Sequence, residues 1–199
     1  MTYLQYLIGS LILFITLSAN AVWLTEPYLG YGQLSLQLGN IAMVDGESTG
    51  YTLGARTGLQ AGPLFFGADY SRSGPYHMTF KNSYYGSSID SGLFTVFSGG
   101  LGVKYTFGSW MLWIGKYPYH FVEEHKIDFQ LKGAMDRVGL GWIIDQHLNL
   151  YFQYETSTLE LKSPSTTSLM IFCYNTPSDD CSHSGKTSTI SFILSANVF

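Results

Sequence analysis

The sequence predicts an all-β fold, an eight-stranded antiparallel up-and-down barrel that crosses a membrane with strands. Three observations carry that expectation. Segments of about ten residues alternate between large apolar side chains and a face of glycine, small polar and charged residues. The connections between segments run long, short, long, short, long, short, long, the asymmetry of barrels with tight turns on one rim and extended loops on the other. Composition agrees: of 199 residues, 46% are hydrophobic and 16% aromatic, but only 12% are charged, about half the share of soluble domains.

The first strand is expected over residues 27–38, where Tyr28, Gly30, Gly32, Leu34, Leu36 and Leu38 oppose Tyr31, Gln33, Ser35 and Gln37; the polar set is assigned to the lumen. Residues 39–49 form a solvated connection. The clearest pattern follows at residues 50–71, GYTLGARTGLQAGPLFFGADYS, two strands around the turn pair Gly62-Pro63. Here Tyr51, Leu53, Leu59, Phe66 and Tyr70 share one side, and Arg56 and Asp69 share a glycine-lined other side. After a polar stretch at 72–92, residues 93–107 place Phe97, Leu101, Val103 and Tyr105 against Ser98, Gly100, Gly102 and Lys104. Beyond the Gly108-Ser109 turn, residues 110–121 alternate less cleanly. Turning Lys116 inward there sends Met111, Trp113 and Tyr117 to lipid and avoids a charge in hydrocarbon. Residues 122–130 are solvated on composition. Residues 131–144 and 148–155 repeat the hairpin logic, with Val138, Leu140, Trp142, Leu150 and Phe152 out and Arg137, Gln153 and Glu155 in. A long polar connection at 156–186 precedes the last strand, 187–199.

The inward set is therefore Arg56, Asp69, Lys104, Lys116, Arg137 and Glu155, with Gln33 and Gln37. Charges in so narrow a space must pair or be hydrated, and an eight-stranded barrel is about filled by its own side chains. A polar plug or a narrow gated pore both follow. Two further readings stay open. His120 near the outer rim, with a serine or Glu123, could serve a lipid-modifying enzyme, although no signature surrounds it. A soluble lipocalin-like barrel would invert the faces and wrap the apolar set around a ligand. A net charge of −4 without a basic run excludes a nucleic-acid footprint.

Residues 1–21, MTYLQYLIGSLILFITLSANA, lack Asp, Glu, Lys and Arg, hold an apolar core at 7–17 and end small-x-small, as an export signal does. The domain plan is a signal peptide at 1–21 and a barrel at 22–199. In an exported chain, the spacing of Cys173 and Cys181 suggests a disulfide closing a small loop. Asp179, Asp180 and His183 lie nearby without a recognised metal-ligand spacing, so no metal and no cofactor are expected.

Residues 28–32 (YLGYG), 50–71, 99–108 (GGLGVKYTFG), 131–142 (LKGAMDRVGLGW), 148–155 (LNLYFQYE) and the terminal Phe199 together resemble the small eight-stranded outer-membrane barrels of Gram-negative bacteria, the group with the OmpA transmembrane domain, OmpX and OmpW. The resemblance implies a monomer in the bacterial outer membrane, surrounded by outer-membrane lipid and lipopolysaccharide. It also implies that Phe199 is part of the signal read by the barrel-assembly machinery, and that the long loops offer a surface for ligands. The last strand departs from the pattern. Alternate positions back from Phe199 are Asn197 and Ser195, so a bulge near Ala196-Asn197 is expected to reconcile the faces.

Overall fold

The computed structural model describes residues 21–38, 44–78, 80–82, 88–89, 93–124, 129–161 and 184–198. Cys173, Cys181, Phe199 and residues 1–20, which carry the disulfide, assembly-signal and export expectations, lie outside the described residues. In chain order the strands are β1 (Val22–Leu38), β2 (Val44–Ala61), β3 (Leu64–His77), the short β4 (Phe80–Asn82) and β5 (Ser88–Ile89), β6 (Leu93–Phe107), β7 (Trp110–Glu124), β8 (Phe129–Ile143), β9 (Leu148–Leu161) and β10 (Ser184–Ala196). Eight of them form the wall, each antiparallel to its neighbours, and β1 closes the ring by pairing with both β2 and β10. The short strands β4 and β5 extend from the edge of β2. Closure leaves the wall without an edge, which a strand crossing hydrocarbon requires.

Two of the tight turns owe their form to glycine: Gly62 (φ 58°) and Gly108 (φ 62°) adopt the left-handed backbone that other residues resist. Stagger sets the shape of the barrel. Cross-strand partners followed from Gln33 through Ile190, Tyr154, Val138, Ile114, Val103, Phe66 and Leu59 return to β1 at Trp23, ten residues away. Strands so staggered tilt by about 40° to the axis. Allowing for that tilt, outward Tyr31, Tyr51, Tyr70, Tyr119 and Tyr154 form one ring. Trp23, Tyr105, Phe107, Trp110 and Trp142 form another nearer the short turns. Between them the exterior is Leu29, Leu53, Leu101, Ile114, Leu140, Leu150 and Phe192, all exposed. An apolar band between two aromatic girdles is the exterior of a barrel that sits in a bilayer. A soluble ligand-binding barrel would turn these side chains inward, so the lipocalin-like reading is overturned.

Beyond the tyrosine ring the polarity of the wall reverses. Gln37, Glu47, Lys132, Glu160 and Lys186 now face out. Leu34, Leu36, Tyr76, Phe94, Val122, Leu131 and Leu159 turn in and form an apolar cluster. Strands there continue as ordinary half-buried strands in water. This corrects the expected loops: β2 begins at Val44 rather than near residue 50, β3 runs on to His77, β7 and β8 occupy most of 122–130, and β9 reaches Leu161. The expected bulge in the last strand is also corrected. β10 keeps one unbroken register against β9 from Ser184 to Ala196, with Ile190, Phe192 and Leu194 outward.

Candidate functional site

The lumen of the lipid-embedded half holds a connected network whose six charged side chains stand on six of the eight wall strands. Asp69 on β3 is its hub. Its carboxylate accepts from Arg56 Nε on β2 at 3.2 Å, from Arg137 Nη1 on β8 at 2.7 Å, from the Tyr28 hydroxyl on β1 at 2.7 Å and from the Tyr117 hydroxyl on β7. A second node is Glu26 on β1, which accepts from Lys104 Nζ on β6 at 2.8 Å and from the Ser195 hydroxyl at 2.6 Å, and lies 3.5 Å from Arg56 Nη1. Glu155 closes the far side, 2.9 Å from Arg137 Nη2 and accepting from Gln153 Nε2 at 2.6 Å. The Gln153 carbonyl in turn accepts from Arg56 Nη2 at 2.9 Å. Three cations, Arg56, Lys104 and Arg137, thus meet three carboxylates, Glu26, Asp69 and Glu155. The network is neutral, as it must be where a lone ion would cost several kcal/mol.

Aromatic rings fill what the ions leave. The Arg56 guanidinium lies 4.7 Å from the ring centres of Trp113 and Tyr151 and 4.8 Å from Tyr28. Arg137 lies 4.3 Å from Tyr117. Such contacts attract a cation through the ring quadrupole and replace water around it. The lumen-facing glycines make room for these rings. A Cβ on Gly54 would stand 2.3 Å from Tyr28 Cζ, and one on Gly102 2.3 Å from Trp113 Cζ2. What reads in sequence as a glycine-lined channel wall is a floor on which rings lie.

The network is capped at both ends. Towards the short turns, Leu24, Phe65 and Met111 are buried in the lumen. Towards the long connections stand buried hydroxyl pairs, Thr52 with Ser73 and Ser157 with Thr187, and above them the apolar cluster of Leu34, Leu36, Val122 and Leu159.

Of the residues the sequence assigned to the lumen, the structure brings Arg56, Asp69, Lys104, Arg137 and Glu155 together and leaves Gln33, Gln37 and Lys116 out. Gln33 and Gln37 are corrections: both face outward, Gln33 donating to Glu47 at 3.0 Å, because the polarity of the wall changes at their height and Leu34 and Leu36 take the interior. Lys116 is the third. It is 77% exposed and lies 3.4 Å from Asp136, itself 63% exposed, on the barrel exterior. Trp113 and Tyr117 occupy the interior that the sequence reading gave it. The cause is a register irregularity in β7 between Tyr117 and His120, around Pro118, which switches the inward set from odd to even positions. His120 is buried, with Nδ1 2.9 Å from the Ser98 hydroxyl. Sequence reasoning missed Glu26, which lies before Pro27 and shares the parity of Tyr28 and Gly30, the set that the sequence turned away from the lumen and the structure turns into it.

No family model and no curated protein matches the sequence. Among solved structures the chain is similar to Neisserial surface protein A, with 13% identity and a TM-score of 0.49 over 88% of this chain and 97% of that one. It is similar also to the outer membrane protein OprG from Pseudomonas aeruginosa, with 10% identity and 0.45 over 90% and 96%. A third is Ail, the attachment invasion locus protein of Yersinia pestis, with 14% identity and 0.46 over 88% and 98%. The wall's own pairing sets the architecture, a closed eight-stranded antiparallel barrel of the outer-membrane type. With its girdled apolar exterior and closed antiparallel wall, the chain is an integral outer-membrane protein.

Proposed function

We propose that this protein is a sealed, non-catalytic outer-membrane barrel, a structural support that holds its long connections at the cell surface. The observation that carries the reading is the neutral ion network of Arg56, Asp69, Arg137, Glu26, Lys104 and Glu155, closed on either side by apolar side chains. A pore lining would expose charge to a water column; here each charged group meets a partner of opposite sign and each cation lies over a ring. Catalysis is disfavoured by the burial of His120 and Ser98, which form their hydrogen bond inside the wall. The serine-rich connections 78–92, with Tyr84 and Tyr85, and 162–183, with Tyr174, have the composition of adaptable contact surfaces.

Planar-bilayer recording tests the reading. The folded barrel is expected to give no discrete conductance steps, and Arg137→Ala, which opens the hub, is expected to give small ones. Sustained steps from the unaltered protein would overturn it.

A further inference from the structure

The cations outside the lumen are unevenly placed. Seven Lys and Arg side chains are described; Arg56, Lys104 and Arg137 lie within, and Arg72, Lys116, Lys132 and Lys186 face out. Three of those four fall on β3, β7 and β8, a single sector of the wall at or just beyond the tyrosine ring. Arg72, Phe97, Phe121 and Lys132 are successive cross-strand partners on β3, β6, β7 and β8. Each cation leans over the ring beside it, Arg72 at 5.4 Å from Phe97 and Lys132 at 5.5 Å from Phe121. Lys132 has Glu160 as its other cross-strand neighbour, on the strand opposite to that of Phe121. The result is a shelf of two phenyl rings with a positive charge at each end. Three strand spacings, about 14 Å, separate the backbones that carry the two charges.

Directly below, the same sector of the exterior is hollowed. An open groove of about 850 Å³ crosses β2, β3, β6, β7 and β8, lined by Leu59, Ala68, Leu101 and Ile114, with Lys116 and Asp136 at its end towards the shelf. Its depth comes from small outward residues such as Ala68 among larger neighbours.

We propose that this sector binds one acylated glycolipid of the outer leaflet that carries two phosphates, the lipid A part of lipopolysaccharide. Its phosphates sit on Arg72 and Lys132, its polar middle meets the Lys116–Asp136 pair, and an acyl chain lies in the groove. Charge complementarity chooses the occupant. Two cations carried on strands three spacings apart, each leaning over the ring beside it, suit two anionic groups on a rigid spacer; a phospholipid with one phosphate satisfies a single end. The Lys116–Asp136 pair, neutral overall, offers hydrogen bonds to sugar or amide groups without repelling the lipid. The proposal rests on the membrane placement and is independent of whether the lumen conducts.

The full chain, folded in detergent, is titrated with bisphosphorylated lipid A, its monophosphoryl form and phosphatidylglycerol, and bound lipid is counted by native mass spectrometry. Heat-modifiable gel mobility confirms folding of every variant. The unaltered protein is expected to prefer the bisphosphorylated lipid. The double variant Arg72→Gln with Lys132→Gln is expected to lose affinity for it about thirtyfold, and the preference with it. Ala68→Phe, which fills the groove, is expected to weaken all three lipids while keeping their order. Lys186→Gln, on the other side of the wall, is expected to match the unaltered protein. Equal competition by phosphatidylglycerol, or an Arg72/Lys132 double variant no weaker than Lys186→Gln, overturns the proposal.

Discussion

In the half of the barrel bounded by the short turns, Leu101, Leu140, Leu150 and Phe192 face out while Arg56, Asp69, Lys104 and Arg137 face in; in the half bounded by the long connections, Gln37, Glu47, Lys132 and Glu160 face out while Leu34, Leu36, Val122 and Leu159 face in. The same eight strands run through both. One wall thus follows the rule for hydrocarbon over part of its length and the rule for water over the rest. The comparison teaches that orientation along a strand answers to what lies outside at that height. It also explains the filling: an interior flanked by lipid is stitched by ions, whereas one flanked by water is held by the hydrophobic effect.

Removing the hub is the strongest way to break the comparison. Asp69→Ala leaves Arg56 and Arg137 without their shared acceptor and is expected to cost about 3–5 kcal/mol, read from urea unfolding in micelles. The contrast itself is sharpened by placing one charge at two heights. Leu140→Arg, in the apolar band, is expected to cost about 2–4 kcal/mol, and Gln37→Arg, on the water-facing exterior, about 0. Equal costs would show that the band does not extend where the exposed apolar residues place it. The smallest effect is expected at the exterior pair. Lys116→Gln separates an exposed bridge and should change stability by about 1 kcal/mol or less in the same assay. A loss as large as that of Asp69→Ala would mean that the pair is desolvated by bound lipid.

Much of the wall was legible. In β2, β3, β6, β8 and β9 the alternation of large apolar residues against glycine and charge told outside from inside, and the tight turns at Gly62-Pro63 and Gly108-Ser109 marked the hairpins. It failed where the pattern changed meaning or phase. At Gln33 an outward polar residue follows the rule of the water-facing half, and a reader assuming one environment assigns it inward. In β7 the irregularity around Pro118 shifts the phase, so no single parity describes residues 110–124. The site was legible as a list of lumen charges, but Glu26 lies before a proline that reads as a strand start, and Tyr28, Trp113 and Tyr117 look like lipid-facing aromatics.

By itself the sequence determined the strand count, the hairpins and the facing of most strands, because a period of two is a local property that each segment carries alone. Only the tertiary structure decided which cation meets which carboxylate, where hydrocarbon gives way to water and on which side Lys116 stands. Those depend on the ten-residue stagger accumulated around the closed wall, which sets the height of every residue against residues on other strands.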